Sequence, residues 1–310
     1  MAMSFSGTEA RQAAEYAAKA LGFSALGVAN AHADQGSHLQ EWLNDGQHAD
    51  MLWMERHLPA RLNPQLVLPG ARSIIMLTYE YARTDARSTS GRIARYAQGE
   101  DYHKLLARKL EDIAETLTIY GGEQRCFTDS GPISERFFAA QAGLGWIGRN
   151  GLLNRPGKGS YCFLASIITT LELPYDSPMP NRCGNCHRCE QACPTAALKN
   201  GCCDARKCLS YWTIEAHTPT PQNIAEAEPE RIYGCDICQE VCPWNRRTSS
   251  AERIDPHLLM PAELCALSPQ KLSKLSHDAF DKLFAASPIR RIGSEHLRQN
   301  LQEIIRQQKN

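Results

Sequence analysis

RCGNCHRCEQACPTAAL, residues 182–198, sets Cys183, Cys186, Cys189 and Cys193 at C-x2-C-x2-C-x3-C and closes the run with Pro194. Further on, GCDICQEVCPWN, residues 234–245, supplies Cys235, Cys238 and Cys242, closed by Pro243, and Cys208 lies between the two runs. In a run of the first kind three close thiolates take three corners of a 4Fe–4S cube, and the fourth cysteine turns away to ligate the other cube. Two runs and the intervening cysteine make eight thiolates, enough for two cubes. Cys183, Cys186, Cys189 and Cys242 are assigned to one, and Cys193, Cys208, Cys235 and Cys238 to the other. Paired C-x-x-C units also make tetrahedral zinc sites. The triplet of cysteines and the two Cys-Pro endings favour iron–sulfur.

The surrounding chain has 310 residues, 43% of them hydrophobic, enough for a large domain and a small one, or for two domains. Thirteen cysteines would suggest disulfides in a small secreted protein. Here only Cys126, Cys162, Cys202, Cys203 and Cys265 fall outside the cluster spacing. MAMSFSGTEARQAAEYAAKAL carries no apolar core of signal-peptide length and no twin arginine. No apolar run approaches the roughly 20 residues that span a bilayer, so a reducing cytoplasm and no membrane are expected. The 34 basic and 34 acidic residues cancel, so a nucleic-acid partner would have to be met by a local patch. From Trp244 onward there are eleven Lys/Arg against seven Asp/Glu. Arg246, Arg247, Lys271, Lys274, Arg290, Arg291 and Arg298 are the candidates for a phosphate-tracking face, with an ordinary solvated surface as the alternative. The acidic stretch AEAEPE, residues 225–230, should lie away from it.

Apolar periodicity predicts a helix over 8–21 stopped by Gly22, a strand in FSALGVA, and a helix over 38–57 broken near Gly46. RLNPQLVLPGA reads as a loop, RSIIMLTYEY as a strand and TDARSTSGR as a polar connection. A helix follows over 101–120, with Leu105, Leu106, Leu110, Ile113 and Leu117 on one face and Gly121-Gly122 at its end. QRCFTD is a strand, residues 133–142 are helical and YCFLASIITTLEL is a long strand. MPAELCAL, SPQKLSKLSHDAFDKLF and SEHLRQNLQEIIRQQ read as helices, the last two like the first unit of a helical repeat. Strands alternating with helices across 1–178 indicate an α/β or α+β sheet domain. The cluster region fills 179–246, and 247–310 forms a helical C-terminal segment.

Two cubes in series conduct electrons, so the chain is either a carrier or a reductase that spends them. A carrier needs only a cluster module, whereas 178 residues precede this one. Those residues include TDSGPISERFFAAQAGLGWIGRNGLLNRPGKGS, with seven glycines from Gly131 to Gly159, a density expected to let backbone approach a large flat ligand. No G-x-G-x-x-G opens a helix after a strand. The corrinoid handle D-x-H-x-x-G is absent too: Asp101-Tyr102-His103 begins it, but the glycine does not follow. The residues alone indicate a reductase with an unidentified cofactor fed by two clusters.

RYAQGEDYHK, TDSGPISERFFAAQAGLGWIGRNGLL, KGSYCFLASIITTLELPYD and the two cysteine runs together resemble the epoxyqueuosine reductases. The resemblance runs from about RLNP to SPIRRIG. It implies an α+β chain with a nitroreductase-like cobalamin-binding domain, a two-cluster ferredoxin-like domain and a short HEAT-like helical segment. It also implies cobalamin and two 4Fe–4S clusters as cofactors. The implied substrate is a tRNA of the Tyr, His, Asn or Asp type carrying epoxyqueuosine at its wobble position. An external electron donor such as a flavodoxin, a ferredoxin or a reductase is implied, with the protein acting as a monomer. The longer members continue into a fuller helical repeat.

The family's D-S-x-P motif falls on Asp129-Ser130-Gly131-Pro132, which makes Asp129 the expected proton donor. Its pKa should be raised by enclosure. The alternative role for Asp129 is to cap the helix near Pro132. Arg61 in RLNP, Ser210 and Asp236 are the further cofactor candidates, with surface and turn roles as their alternatives. Tyr102 and His103 are candidates for the substrate side, although His103 could equally serve as a structural donor. Trp146 is expected in the core and Trp244 against a cluster. A reductive dehalogenase-like cobalamin enzyme and a ferredoxin-type carrier are the competing readings.

Overall fold

The computed structural model describes residues 6–81, 92–227, 230–246 and 255–307. Most of the expected polar connection 84–92, and Arg247 of the basic set, lie outside the described residues. An antiparallel four-stranded sheet organises the first half. Its strands are β1 (Ala25–Asn30), β2 (Ser73–Glu80), β3 (Gln124–Phe127) and β4 (Cys162–Thr169). Their order across the sheet is β1-β2-β4-β3. Antiparallel pairing throughout selects α+β over α/β.

Strand β2 is buried on both faces, and its period of two sends Ile75, Leu77 and Tyr79 to one core and Ile74 and Met76 to another. The first core is roofed by two helices. Helix α1 (Gly7–Ala20) buries Ala10, Ala14 and Ala18, and starts in a reciprocal Ser6–Glu9 capping box. Helix α2 (Tyr102–Thr118) buries Leu106, Leu110, Ile113 and Leu117 of the expected face, with Leu105 only partly buried and Tyr102 completing the stripe. The second core is closed by α3 (Glu135–Gln141) through Phe138 and Ala139. Arg155, 3% exposed, pairs with Glu80 at 2.5 Å and donates to the hydroxyls of Thr78 and Ser24. That buried guanidinium, paired through both its terminal nitrogens, fastens the loop after α3 to the sheet.

Regular structure thins out toward the cysteines. The helices there are short: Arg188–Ala192, Leu209–Ile214, Ile237–Glu240 and Pro243–Arg246. The C-terminal helices build no core of their own. Leu264, Leu272, Phe280, Phe284, Ile289, Leu297 and Leu301 share one with Ile93, Ile214, Ile232 and Tyr233. In the last helix, α4 (Gly293–Gln307), the Asn300 amide donates to the carbonyls of Thr213 and Ile232. The expected helix over 268–284 is two, Pro269–Leu272 and His277–Leu283, because the Ser276 hydroxyl accepts from Ala279 N–H and starts the second. RLNP, expected as a loop, ends a one-turn helix, Leu58–Leu62, and enters a 3-10 turn at Pro64.

The glycine density has a different cause from the one expected. A Cβ at Gly131 would meet the Phe127 ring at 2.4 Å, at Gly145 the Asn154 carbonyl at 2.2 Å, and at Gly159 Asn245 Oδ1 at 1.9 Å. These three glycines admit the chain's own atoms, so they are accounted for without a flat ligand.

Candidate functional site

Asp129 follows strand β3 in a left-handed conformation, φ 59°. That conformation costs a non-glycine residue about 1–2 kcal/mol unless its surroundings hold it. Three contacts do so. Tyr102 donates its hydroxyl to Asp129 Oδ2 at 2.7 Å, His103 Nε2 lies 3.2 Å from the same oxygen, and Asp129 N–H donates to Glu135 Oε1 at 2.9 Å. Helix α2 supplies the first two partners and α3 the third. The α3 N-cap is Ser134, so Asp129 does not cap it.

His103 joins two carboxylates. Its Nδ1 lies 2.7 Å from Asp101 Oδ1, the N-cap of α2, and its ring stacks on Tyr102 at 4.1 Å. Burial pushes the imidazole pKa down, but hydrogen bonds to Asp101 and Asp129 outweigh it and bring the value up to about 9. Burial likewise pushes Asp129 up, yet the hydrogen bonds from His103 and Tyr102 hold its carboxyl below the ordinary carboxylate range. The expected upward shift is thus reversed, because two donors and the His103 charge face the ionised form. Burial and the Asp129 charge instead raise Glu135 to about 8. Near neutral pH the protons at this site reside on His103 and Glu135.

The Asp129 side chain stands among these groups with 58% of its surface open. A cleft of about 270 Å³ beside it is lined by Asp101, His103, Lys104, Ser287, Arg290 and Arg291. Arg291 pairs with Glu215 at 2.7 Å and contributes to holding Asp129 ionised. Arg290 reaches Asp281 at 3.3 Å. The two arginines expected on a distant phosphate track therefore stand at the mouth of the Asp129 site. Arg61 comes to the same place: Glu135 and Asp129 are its charged neighbours, its Nη1 donates to Ile133 O, and its buried Nε has no partner among the described residues.

Ser210 and Asp236 belong to the cysteine side. Ser210 follows Cys208 by two residues in the helix Leu209–Ile214. Asp236, 3% exposed, accepts from Arg95 N–H at 2.7 Å and from Gln239 Nε2 at 3.1 Å, so both its oxygens serve donors of the chain itself. Arg95 in turn lies over the Tyr161 ring at 4.6 Å.

Cys183, Cys186, Cys189 and Cys242 line one cavity together with Arg149, Asn150, Asn154 and Trp244. Cys235 and Cys238 lie within each other's electrostatic reach and within that of Cys208. Burial pushes the thiols of Cys189, Cys235 and Cys238 up, Cys189 to about 11 and Cys235 to about 12, so ligation there must displace protons. Trp146 is 2% exposed and meets Trp244 edge-on at 4.9 Å. Cys203, set aside by its spacing, has its thiol pushed up by the neighbouring Cys208 and by burial.

Two protein families match this chain. Residues 61–130 match the family described as epoxyqueuosine reductase QueG, DUF1730, and residues 182–245 match the 4Fe-4S double cluster binding domain. The second match decides between cubes and zinc. The epoxyqueuosine reductase of Gloeobacter violaceus is 40% identical over 306 residues, covering 93% of this chain and 93% of its own. The chain belongs to the epoxyqueuosine reductase family. Among solved structures, an epoxyqueuosine reductase with an epoxyqueuosine-modified tRNA-Tyr stem loop superposes with a TM-score of 0.85 at 27% identity, over 95% of this chain and 80% of that one. The epoxyqueuosine reductase of Bacillus subtilis, in a structure whose catalytic aspartate loop is swung out of the active site, matches with a TM-score of 0.83 and the same coverage. Membership sets the family apart from a plain electron carrier. Among the described residues, no helix is long and apolar enough to cross a membrane.

Proposed function

We propose that this protein reduces epoxyqueuosine to queuosine at the wobble position of tRNA, with cobalamin and two 4Fe–4S clusters as cofactors. The observation that carries the reading is the Asp101–His103–Asp129 chain of hydrogen bonds opening on a cleft lined by Lys104, Arg290 and Arg291. Removing the epoxide oxygen as water and leaving an alkene consumes two electrons and two protons. Cobalamin, when bound, supplies a low-valent metal able to deliver the electrons. The cubes, when bound, would return those electrons one at a time.

The chain's own task is proton delivery. His103 holds a proton near neutral pH, 3.2 Å from Asp129 Oδ2. Asp129, poised between His103 and the open side of the site, passes it to the departing oxygen and is reprotonated from His103. Asp101 fixes the imidazole so that Nε2 faces Asp129. Glu135 holds a second proton beside the Asp129 backbone and braces the strained loop.

Arg61, with its buried unpartnered Nε, and Ser210 are the donors we assign to the cofactor's polar edge. Asp236 braces Arg95 and the Cys235 loop on the cluster side. In this reading residues 1–178 form a nitroreductase-like cobalamin-binding domain, 179–246 a ferredoxin-like domain and 247–310 a HEAT-like helical segment. The protein works as a cytoplasmic monomer supplied by an external flavodoxin, ferredoxin or reductase.

The test is anaerobic reconstitution with iron, sulfide and cobalamin, followed by nucleoside analysis of an epoxyqueuosine-bearing stem-loop. Queuosine should appear, and the cobalamin spectrum should change on binding. A protein loaded with both cofactors that leaves the epoxide intact would overturn the assignment.

A further inference from the structure

Asn150 sits in the loop that Arg155 fastens to the sheet, and it is 7% exposed. Its side-chain oxygen accepts from Leu152 N–H at 3.3 Å and from Asn154 Nδ2 at 3.1 Å. Two donors on one atom fix which end of the amide is oxygen, so Nδ2 must face the other way. Asn154 Nδ2 is held as well by Leu152 O at 3.0 Å. Gly148 is required beneath this pair, since a Cβ there would meet Asn154 Nδ2 at 2.3 Å and Asn150 Oδ1 at 2.8 Å. The arrangement is thus built rather than incidental. Yet Asn150 Nδ2, buried, has no hydrogen-bond partner among the described residues, and neither has Arg149 Nε beside it. Both residues line the cavity bounded by Cys183, Cys186, Cys189 and Cys242.

A buried donor without an acceptor is costly, and an iron–sulfur cube with thiolate ligands presents sulfur acceptors and net negative charge. The donors left over match what the cavity would hold. We infer that Asn150 donates a hydrogen bond to a sulfur of the cube held by Cys183, Cys186, Cys189 and Cys242 and thereby raises its reduction potential relative to the same cube without the donor. The inference rests on the two-cube reading. Hydrogen bonds to cluster sulfurs stabilise the more negative, reduced state, so each such bond makes the one-electron uptake easier. No bond breaks and no proton moves in that step. Arg149 adds positive charge on the same wall, and its Nη2 donates to Gly184 O at 3.4 Å, which ties the wall to the first cysteine loop.

The test is a potentiometric titration of the fully reconstituted protein, followed by paramagnetic resonance, for the wild type, Asn150→Ala and Asn150→Asp. Asn150→Asp keeps the oxygen that Leu152 and Asn154 need and replaces the donor with a second, negatively charged oxygen, so it should lower the potential at least as far as Asn150→Ala does. In both variants one of the two one-electron waves should move to lower potential by about tenfold in the reduced-to-oxidised ratio at fixed poise, about 59 mV. The other wave should stay in place. About eight iron per wild-type chain separates a failure of the two-cube reading from a failure of this inference. Two unmoved waves at full iron content would overturn it. Loss of about half the iron in both variants would also overturn it, because Asn150 would then build the site rather than tune it.

Discussion

The sheet and the cysteine region reach a defined structure by different means. The sheet has two apolar cores, eight-residue strands paired along their length and helices with continuous buried stripes. The region from Cys183 to Cys242 has helices of four to six residues and strands of two or three. Its thiols are half-buried and are held apart from solvent by loops. Its order should therefore depend on what the thiols bind, as in other domains where metal-binding free energy is folding free energy. The Asp129 site lies where the sheet domain meets the C-terminal helices, its scaffold from the first and its cleft-lining neighbours Arg290 and Arg291 from the second.

That contrast is broken most directly by taking the iron away. Anaerobic chelation should abolish amide protection across the cysteine loops, residues 182–208 and 234–245, while β2, β4 and α2 stay protected in hydrogen exchange. Uniform protection with and without iron would show that the loops hold themselves. The converse variant, Leu110→Ala, removes a fully buried side chain from α2 and should cost about 2–5 kcal/mol of stability without changing iron content. Iron lost in proportion to stability would mean that the two regions fold as one.

Smaller effects sharpen the picture at the boundary. His103 has its pKa raised to about 9 by its two carboxylates. A group raised in the folded state stabilises it fully below its unfolded value, near 6.5, and that contribution is lost as pH rises through about 9. Single-turnover reduction, which uses the protonated imidazole, should fall over the same upper limb. In His103→Gln the limb should flatten at a lower overall rate, and an unchanged alkaline limb would remove His103 from the proton path. Reversing charge with Arg290→Glu and Arg291→Glu should weaken tRNA binding and lower the salt slope by about one per lost phosphate contact. A binding curve that keeps its affinity and slope would place the RNA elsewhere.

Much of the frame was legible in the residues. The apolar run in RSIIMLTYEY and the stripe from Leu106 to Leu117 mark β2 and α2, the first because a strand buried on both faces is apolar throughout, the second because burial on one face imposes its period on the sequence. The cysteine runs pointed to the same four-thiol set that lines the cavity, since ligand spacing in a short loop is close to a geometric constraint. The electrostatics of Asp129 were not legible. Its partners, Tyr102 and His103, lie on another helix, and Glu135 reaches back across a turn. Sequence distance therefore carried no sign of whether burial or hydrogen bonding would prevail. The glycines misled for a related reason: Gly145 and Gly148 are set by Asn154, several residues on, and not by a ligand. Arg290 and Arg291 looked like one stretch of a basic surface, and only the shared core of the C-terminal helices brings them to the cleft.

The central claim is that Asp129 delivers the proton to the leaving oxygen. Single-turnover reduction of epoxide-bearing tRNA by pre-reduced Asp129→Asn protein tests it most directly, since pre-reduction bypasses electron supply. Asparagine keeps the shape and an acceptor for Tyr102 but cannot carry the proton. The rate should fall by about 10²–10⁴-fold, with iron content, cobalamin binding and tRNA affinity near those of the wild type. A rate within a few-fold of wild type would contradict the claim and leave Asp129 a structural member of the Tyr102–His103 cluster.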